Sequence, residues 1–180
     1  SKFSEAEKVQ ILEDLVSIKS VNDHEVEVCE YLKDLLSKHG IDSKIIKIND
    51  TRANLIAEIG KDGPVLGISG HMDVVSEGDK NKWTYDPFKL TEVDNKFYGR
   101  GSADMKSGLA ALVISLIDIK EQELLDHGKI RLLATAGEEI VGEGAKAFQE
   151  QGYMKDVEAL VIAEPSQDRI VYAHKRSMDI

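Results

Sequence analysis

The sequence has a single cysteine, a deficit of positive charge and no long apolar run. The lone Cys29 excludes an internal disulfide framework and favours a reducing compartment. The chain contains 23 lysine and arginine residues and 33 aspartate and glutamate residues. The resulting net charge of −10 disfavours nucleic acid and anionic membranes as partners. No apolar run could cross a bilayer, and residues 1–5 lack the apolar region of a signal peptide. We therefore expect a cytoplasmic protein with an acidic surface that favours cations.

Regular secondary structure is predicted along the whole chain, which is 180 residues long and 42% hydrophobic. This length and composition suit a single globular domain. Helical periodicity follows a capping box formed by Ser4 and Glu7, and further helices are predicted from Asn22 or Asp23, over 109–125 and from 142–144 to 152. Apolar runs predict strands at 44–48, 54–59, from 65, 130–136, 159–163 and from 170. Alternation of helices and strands indicates an α/β fold with a mixed or mostly parallel sheet.

Residues 65–73 form the segment around which the functional prediction is built. Gly63 and Pro64 precede this short apolar run, so a buried strand is predicted. His71 and Asp73 end it, and because side chains alternate along a strand both should leave the same face. Such a pair suits an imidazole that binds a metal, with a carboxylate that shares the metal or orients the ring. An isolated pair of this kind is more often a simple turn cap, so the prediction depends on the rest of the chain.

Further acidic residues follow other predicted strands and turns. Asp104 lies in a glycine-rich turn, Glu138 and Glu139 follow one buried strand, and Glu164 follows another. In open α/β sheets, sites gather outside the carboxyl ends of the strands, so these acids should meet His71. Carboxylates placed together repel one another unless a cation compensates them. One imidazole among several oxygens predicts a zinc site, which cobalt or manganese could also occupy.

The adjacent acids Glu138 and Glu139 are predicted to have different roles. Neighbouring residues usually point in different directions, so one can bind metal while the other takes a proton from an activated water. A simpler interpretation is that both are acids at a helix N-terminus, where the helix dipole favours them.

Two other kinds of site are alternative interpretations of these residues. A glycine-rich turn before a helix can bind phosphate, but Asp104 would repel it, and neither the G-x-G-x-x-G nor the Walker spacing is present. A magnesium-dependent phospho-acceptor domain also gathers acids at strand ends. His71, with Glu138 and Glu139, argues against that class.

Four motifs, taken together and in this order, resemble those of the co-catalytic zinc peptidases and deacylases: residues 69–73, 99–108, 136–139 and 163–165. That family includes succinyl-diaminopimelate desuccinylase, acetylornithine deacetylase, aminoacylase and bacterial glutamate carboxypeptidase. The resemblance spans nearly the whole chain. It implies a three-layer α/β sandwich with a mixed, mostly parallel central sheet.

The resemblance also implies the metal ligands. Two zinc ions would be bound in each active site, with cobalt or manganese as possible substitutes. His71 and Glu164 would bind one ion, Asp104 would bridge both, and Glu139 would bind the second. A cis peptide between Asp104 and Met105 is expected from the same resemblance.

The implied reaction is hydrolysis of the amide bond of a small N-acyl amino acid by zinc-activated water. Glu138 would be the general base, and Asp73 would orient the metal-binding histidine from behind. Within the family, the desuccinylase and deacetylase branch is favoured. The alternatives are a dipeptidase or carboxypeptidase of the same family, or a non-catalytic, truncated metal-binding module.

One feature of the family is missing from this sequence. A histidine that binds the second metal is expected near the end of the catalytic domain, after an inserted lid or dimerisation domain. None of the remaining histidines fits that position: His24, His39, His127 and His174. We therefore expect residues 1–180 to be the N-terminal portion of one metallohydrolase catalytic domain, without the lid domain and the C-terminal part. The full-length protein is expected to form a homodimer through the missing domain.

Overall fold

A computed structural model describes residues 1–167 and 169–173, and this part contains four α-helices and seven β-strands. The helices are α1 (Glu5–Ser17), α2 (Val26–Lys38), α3 (Lys106–Glu121) and α4 (Glu143–Glu150). The strands are β1 (Ser43–Lys47), β2 (Ala53–Gly60), β3 (Val65–His71), β4 (Thr91–Val93), β5 (Lys96–Tyr98), β6 (Lys129–Thr135) and β7 (Val157–Ile162). Among the described residues, no helix combines the length and apolarity needed to span a membrane.

Five strands form one sheet in the order β1-β2-β6-β3-β7. The pairs β1–β2 and β2–β6 are antiparallel, whereas β6–β3 and β3–β7 are parallel. Within this sheet, β2 therefore runs against the other four strands. The prediction of a mixed, mostly parallel sheet is confirmed. Strands β4 and β5 pair separately as a short hairpin.

Helices cover both faces of the sheet. The main core packs α1, α2 and α3 against one face, which includes Leu55 and Leu132. On the other face, Phe148 of α4 packs against Ile46 and Leu133. Because side chains alternate along a strand, the neighbours Leu132 and Leu133 serve opposite layers. The result is the three-layer α/β sandwich that the family resemblance implies.

The first two helices show how local sequence sets their ends. The Ser4 hydroxyl accepts the Glu7 N–H at 3.3 Å, and the Glu7 carboxylate accepts the Ser4 N–H at 2.7 Å, so the predicted capping box forms. Helix α2 begins later than predicted, at Val26 rather than Asn22 or Asp23. Asn22 and Asp23 have φ of 30° and 72°, a left-handed backbone that cannot continue a right-handed helix.

Two predictions near the middle and end of the chain are wrong. Helix α3 ends at Glu121 rather than 125, and Glu123 adopts a left-handed φ of 53°. Residues 170–173 do not form the predicted strand; Ile170 and Tyr172 are 95% and 96% exposed. An apolar pattern forms a strand only where a partner strand can pair with its backbone. His174 lies outside the described residues.

The parallel strands determine where functional side chains can meet. Strands β3, β6 and β7 run in the same direction and end at His71, Thr135 and Ile162. Their carboxyl ends therefore lie side by side at one edge of the sheet.

Candidate metal centre

The acidic residues singled out in the sequence converge on this edge of the sheet. His71 is the last residue of β3, and Glu164 follows β7 by two residues. Glu138 and Glu139 lie in the turn after β6, and Asp104 comes from the glycine-rich turn before α3.

Three carboxylates surround one nitrogen of the His71 ring. The His71 Nε2 atom lies 3.0 Å from Asp104 Oδ1, 3.7 Å from Glu164 Oε1 and 3.9 Å from Glu138 Oε2. The His71 side chain is only 1% exposed, whereas the three carboxylates are 40–56% exposed. The imidazole therefore forms the floor of a site whose acidic rim is open to solvent.

The other nitrogen of the ring fixes its orientation. His71 Nδ1 lies 2.8 Å from the backbone carbonyl oxygen of Asp73. A carbonyl oxygen can only accept a hydrogen bond, so Nδ1 carries the hydrogen. In the neutral ring, Nε2 then presents its lone pair to the carboxylates, as a metal ligand must.

The carboxylate of Asp73 contacts the turn that carries Glu138 and Glu139. Its Oδ1 atom is 3.6 Å from His71 Nδ1, beyond hydrogen-bonding distance. Instead, the fully buried carboxylate accepts the backbone N–H groups of Glu138 at 3.2 Å and of Glu139 at 3.0 Å. Asp73 thus contacts the histidine through its main chain and the Glu138–Glu139 turn through its side chain.

The electrostatics of the cluster show carboxylates crowded together. Burial raises the pKa of Glu139, and the neighbouring Asp104 raises it further. The pKa of Glu164 is raised for the same two reasons, although His71 acts against the shift. Burial alone would lower the pKa of His71, but Asp73, Asp104 and Glu164 outweigh it and raise the pKa above its usual value. Neighbouring negative charge contributes to each of these shifts, and such charge attracts a cation.

The lysines and arginines that the structure describes do not neutralise this cluster. Within residues 1–167 and 169–173, the only basic side chain within ion-pairing distance of Asp104, Glu138 or Glu164 is His71. The nearby Lys106 is fully buried, and its ammonium donates to the carbonyl oxygens of Leu15 and Ile18 at 2.7 and 2.8 Å.

The donor set fits metal ions. Potential ligand atoms of His71, Glu138 and Glu139 lie within 4.8 Å of one another, as do those of His71, Asp104 and Glu164. Two ligands bound to one zinc ion at about 2.0–2.2 Å can be at most about 4.4 Å apart, so only small side-chain movements are needed. One imidazole with several carboxylates is a ligand set that zinc accepts.

The turn that carries Asp104 is packed tightly against the segment that carries Glu164. The peptide between Asp104 and Met105 is cis, as the resemblance implies. At the start of α3, a Cβ atom on Gly108 would lie 2.1 Å from the carbonyl oxygen of Ala163. Only glycine allows this approach, which brings the two acidic residues to the same site.

Two further side chains hold the Glu138–Glu139 turn and do not stand out in the sequence. Asn54 accepts the Ala136 N–H at 2.9 Å, and the Glu25 carboxylate accepts the Gly137 N–H at 3.2 Å. No local sequence motif distinguishes Asn54 or Glu25. Their roles depend on burial, which only the tertiary structure reveals.

Comparison with known proteins places the chain in a family. Residues 67–173 match the model of peptidase family M20/M25/M40, a stretch that contains every residue of the acidic cluster and more than half of the chain. The chain belongs to this family. The resemblance inferred from the four motifs is therefore confirmed.

Among M20 relatives, one protein of Staphylococcus aureus (strain MRSA252) is named probable succinyl-diaminopimelate desuccinylase. It is 57% identical over 176 residues, which cover 98% of this chain and 43% of that protein. The chain thus spans less than half the length of the curated relatives it matches.

Solved structures of M20 proteins share the fold. Human carnosine dipeptidase 1 superposes with a TM-score of 0.75 at 24% identity, covering 87% of this chain and 38% of that one. The YXEP protein of Bacillus subtilis, described as a dinuclear metal binding peptidase, has a TM-score of 0.66 at 21% identity and covers 87% of this chain and 42% of that one. At these identities the likeness shows the α/β architecture.

Proposed function

We propose that the protein containing this chain is a dinuclear zinc hydrolase that cleaves the amide bond of a small N-acyl amino acid. The observation that carries the proposal is the convergence of three carboxylates on the Nε2 atom of the buried His71, at 3.0–3.9 Å. Two ions would neutralise a cluster that the described lysines and arginines leave uncompensated.

The proposed ligands follow the geometry and the family resemblance. His71, Asp104, Glu139 and Glu164 would hold the two ions. Asp73 acts on the site without binding metal, since its carboxylate is fully buried and occupied by two backbone N–H groups. Cobalt or manganese could take the place of zinc in such a site.

The catalytic step needs a base and an acid beside the scissile bond. Bound zinc would supply Lewis acidity, which polarises the scissile carbonyl and lowers the pKa of water toward about 7. Glu138 takes a proton from the attacking water as its oxygen bonds to the carbonyl carbon. When the carbon–nitrogen bond breaks, Glu138 returns that proton to the leaving amine. Its 55% exposed side chain can reach a substrate at the open rim.

An N-succinyl amino acid is the substrate we favour. The support is the 57% identity to the Staphylococcus aureus protein named probable succinyl-diaminopimelate desuccinylase, over 98% of this chain. Because that relative is more than twice as long, the activity is proposed for the full-length protein. We also propose that this chain forms the N-terminal portion of the catalytic domain, and that the full-length protein is a cytoplasmic homodimer.

A substrate panel tests this function. The full-length protein is stripped of metal with a chelator, dialysed and assayed with and without added Zn²⁺. The substrates are N-succinyl-diaminopimelate, N-acetylornithine and a dipeptide. We expect hydrolysis only after Zn²⁺ is restored, with the highest kcat/KM for the succinyl compound.

The alternative outcomes have distinct meanings. A preference for the dipeptide would replace the substrate while keeping the reaction class. Absence of hydrolysis with every substrate, in a folded protein that binds two zinc ions, would overturn the enzymatic proposal in favour of a non-catalytic metal-binding module.

A further inference from the structure

Four consecutive backbone N–H groups, at residues 136–139, donate to side chains from distant parts of the chain. Asn54 accepts the first, Glu25 accepts the second, and Asp73 accepts the last two. Backbone N–H groups of a turn pair with other backbone groups, with side chains or with water. Here three side chains from three different segments hold the backbone that carries Glu138 and Glu139.

Glu25 is the least expected member of this set. Its side chain is completely buried, and an isolated buried carboxylate is costly. Its charge is compensated by Arg52, which donates from Nη2 to Oε1 at 3.2 Å and from Nε to Oε2 at 3.4 Å. The same Oε1 atom accepts the Gly137 N–H. One oxygen of Glu25 thus connects the arginine to the turn.

Arg52 also connects the elements on either side of the turn. It forms ion pairs with Asp23, which lies before α2, and with Glu143, at the start of α4. The side chain is 4% exposed, so these contacts hold the guanidinium in one place. The backbone at Gly137 packs against the guanidinium of Arg52. A Cβ atom at that position would lie 2.7 Å from Arg52 Nη2.

We propose that Glu25, held by Arg52, is a positioning residue that places the Glu138–Glu139 turn for metal binding and proton transfer. This inference rests on the proposed function, since that function assigns Glu138 and Glu139 their roles. Glu25 is fully buried and is not one of the proposed metal ligands. It acts through the Gly137 N–H, one residue before the proposed base.

The variant Glu25→Gln isolates this role with little change in volume. Glu25 uses both oxygens as acceptors, one toward Arg52 alone and one shared by Arg52 and Gly137. In glutamine, one of these atoms becomes an NH₂ donor, which must then face another donor. If the NH₂ group takes the place of Oε1, the contacts with Arg52 Nη2 and with the Gly137 N–H are both lost. If it takes the place of Oε2, the contact with Arg52 Nε is lost, and in either case the negative charge that holds Arg52 is removed.

Metal affinity provides the first readout, measured on the intact protein. Zn²⁺ is titrated in competition with a chromophoric chelator, and the binding step that Glu139→Gln weakens identifies the ion held by Glu139. We expect Glu25→Gln to weaken that same step about 10–100-fold, the usual effect of losing a residue that orients a ligand. The other binding step should stay unchanged. Equal weakening of both steps, or of neither, would overturn the proposal.

Hydrogen exchange of the metal-free protein provides the second readout. We expect the peptide that spans residues 136–139 to exchange faster in Glu25→Gln, while peptides from β3 and α3 exchange at the wild-type rate. Faster exchange throughout the protein would indicate a general loss of stability and would count against a positioning role.

A second glutamate–arginine pair, elsewhere in the sheet, serves as the control. Glu58 accepts a hydrogen bond from Arg131 Nε at 2.8 Å, and the two residues are paired across β2 and β6, four residues before the end of β6. Glu58→Gln removes the same charge from a glutamate–arginine pair. It should leave both Zn²⁺ binding steps and the exchange of residues 136–139 at wild-type values.

A second variant keeps the test decisive if Glu25→Gln does not fold. Arg52→Lys preserves a positive charge beside Glu25 but loses the planar fork that contacts both of its oxygens. It should change both readouts in the same direction as Glu25→Gln.

The exchange measurement separates this inference from the proposed function. If the wild-type protein hydrolyses none of the substrates, the proposed function fails, but exchange at residues 136–139 still reports whether Glu25 holds the turn. If the wild-type protein is active and both readouts are unchanged in Glu25→Gln, the positioning role alone is wrong.

Discussion

The backbone carbonyl oxygen of Asp73 accepts a hydrogen bond from the imidazole Nδ1 of His71 at 2.8 Å. The carboxylate of the same aspartate is engaged elsewhere, with the backbone N–H groups of Glu138 and Glu139. One residue therefore sets the orientation of a proposed metal ligand and the placement of the proposed base. Its main chain and its side chain can be separated experimentally.

Asp73→Asn should impair the turn and leave the histidine in place. The substitution keeps the backbone carbonyl but replaces one carboxylate oxygen with an NH₂ group, which would face a backbone N–H. If the full-length protein has the proposed activity, we expect its kcat to fall about 10–100-fold. Steady-state kinetics would measure the loss, and retention of one Zn²⁺ binding step at wild-type affinity would show that His71 still binds. Unchanged kcat would contradict the role given to the carboxylate.

Glu138→Gln should abolish turnover without emptying the site. Glutamine cannot accept a proton from water, and losing a general base typically costs about 10²–10⁴-fold in rate. Elemental analysis should still find two zinc ions in the full-length variant. The exposed Glu150, on α4, offers a control, since Glu150→Gln should leave kcat unchanged. Near-normal turnover by Glu138→Gln would remove this residue from the role of base.

Gly108→Ala should destabilise the protein even though alanine favours helices. Alanine in a helix is usually more stable than glycine by roughly 0.8–1.0 kcal/mol. At Gly108, however, the added Cβ would lie 2.1 Å from the carbonyl oxygen of Ala163, so α3 and the segment leading to Glu164 must move apart. Overpacking of this kind costs about 1–3 kcal/mol.

Urea unfolding of the metal-free protein measures the change for Gly108→Ala. The adjacent Ser107 lies on the same helix and provides a control, because Ser107→Ala should leave stability equal or higher. A stability gain for Gly108→Ala would show that α3 and the segment leading to Glu164 are not in rigid contact.

Cys29 should be unreactive in the folded protein. The side chain is completely buried in the main core, and burial raises the pKa of its thiol to about 12. The thiolate is the reactive form, so an aromatic disulfide reagent at pH 8 should react only after denaturant is added. Absorbance of the released thiol measures this. Full reaction of the native protein within the mixing time would contradict the packing of α2 against the sheet.

Much of the architecture could be predicted from the sequence because its signals are local. Periodicity and a capping box predicted α1, and short apolar runs predicted β3 and β6. Where the backbone departs from its local pattern, prediction fails. The left-handed Asn22 and Asp23 delay α2, and residues 170–173 have a strand pattern but pair with no strand in the described part of the chain.

By itself, the sequence determined the family, the α/β alternation and the identity of the residues at the strand ends. These properties depend on residue type and spacing along the chain, which four motifs preserve. Only the tertiary structure decided which atom of Asp73 faces His71, and that Glu25 and Arg52 lie beneath the Glu138–Glu139 turn. Such contacts join residues up to 112 positions apart, as between Glu25 and Gly137. Burial and hydrogen-bond geometry at that separation arise only when the sheet and its helices pack together.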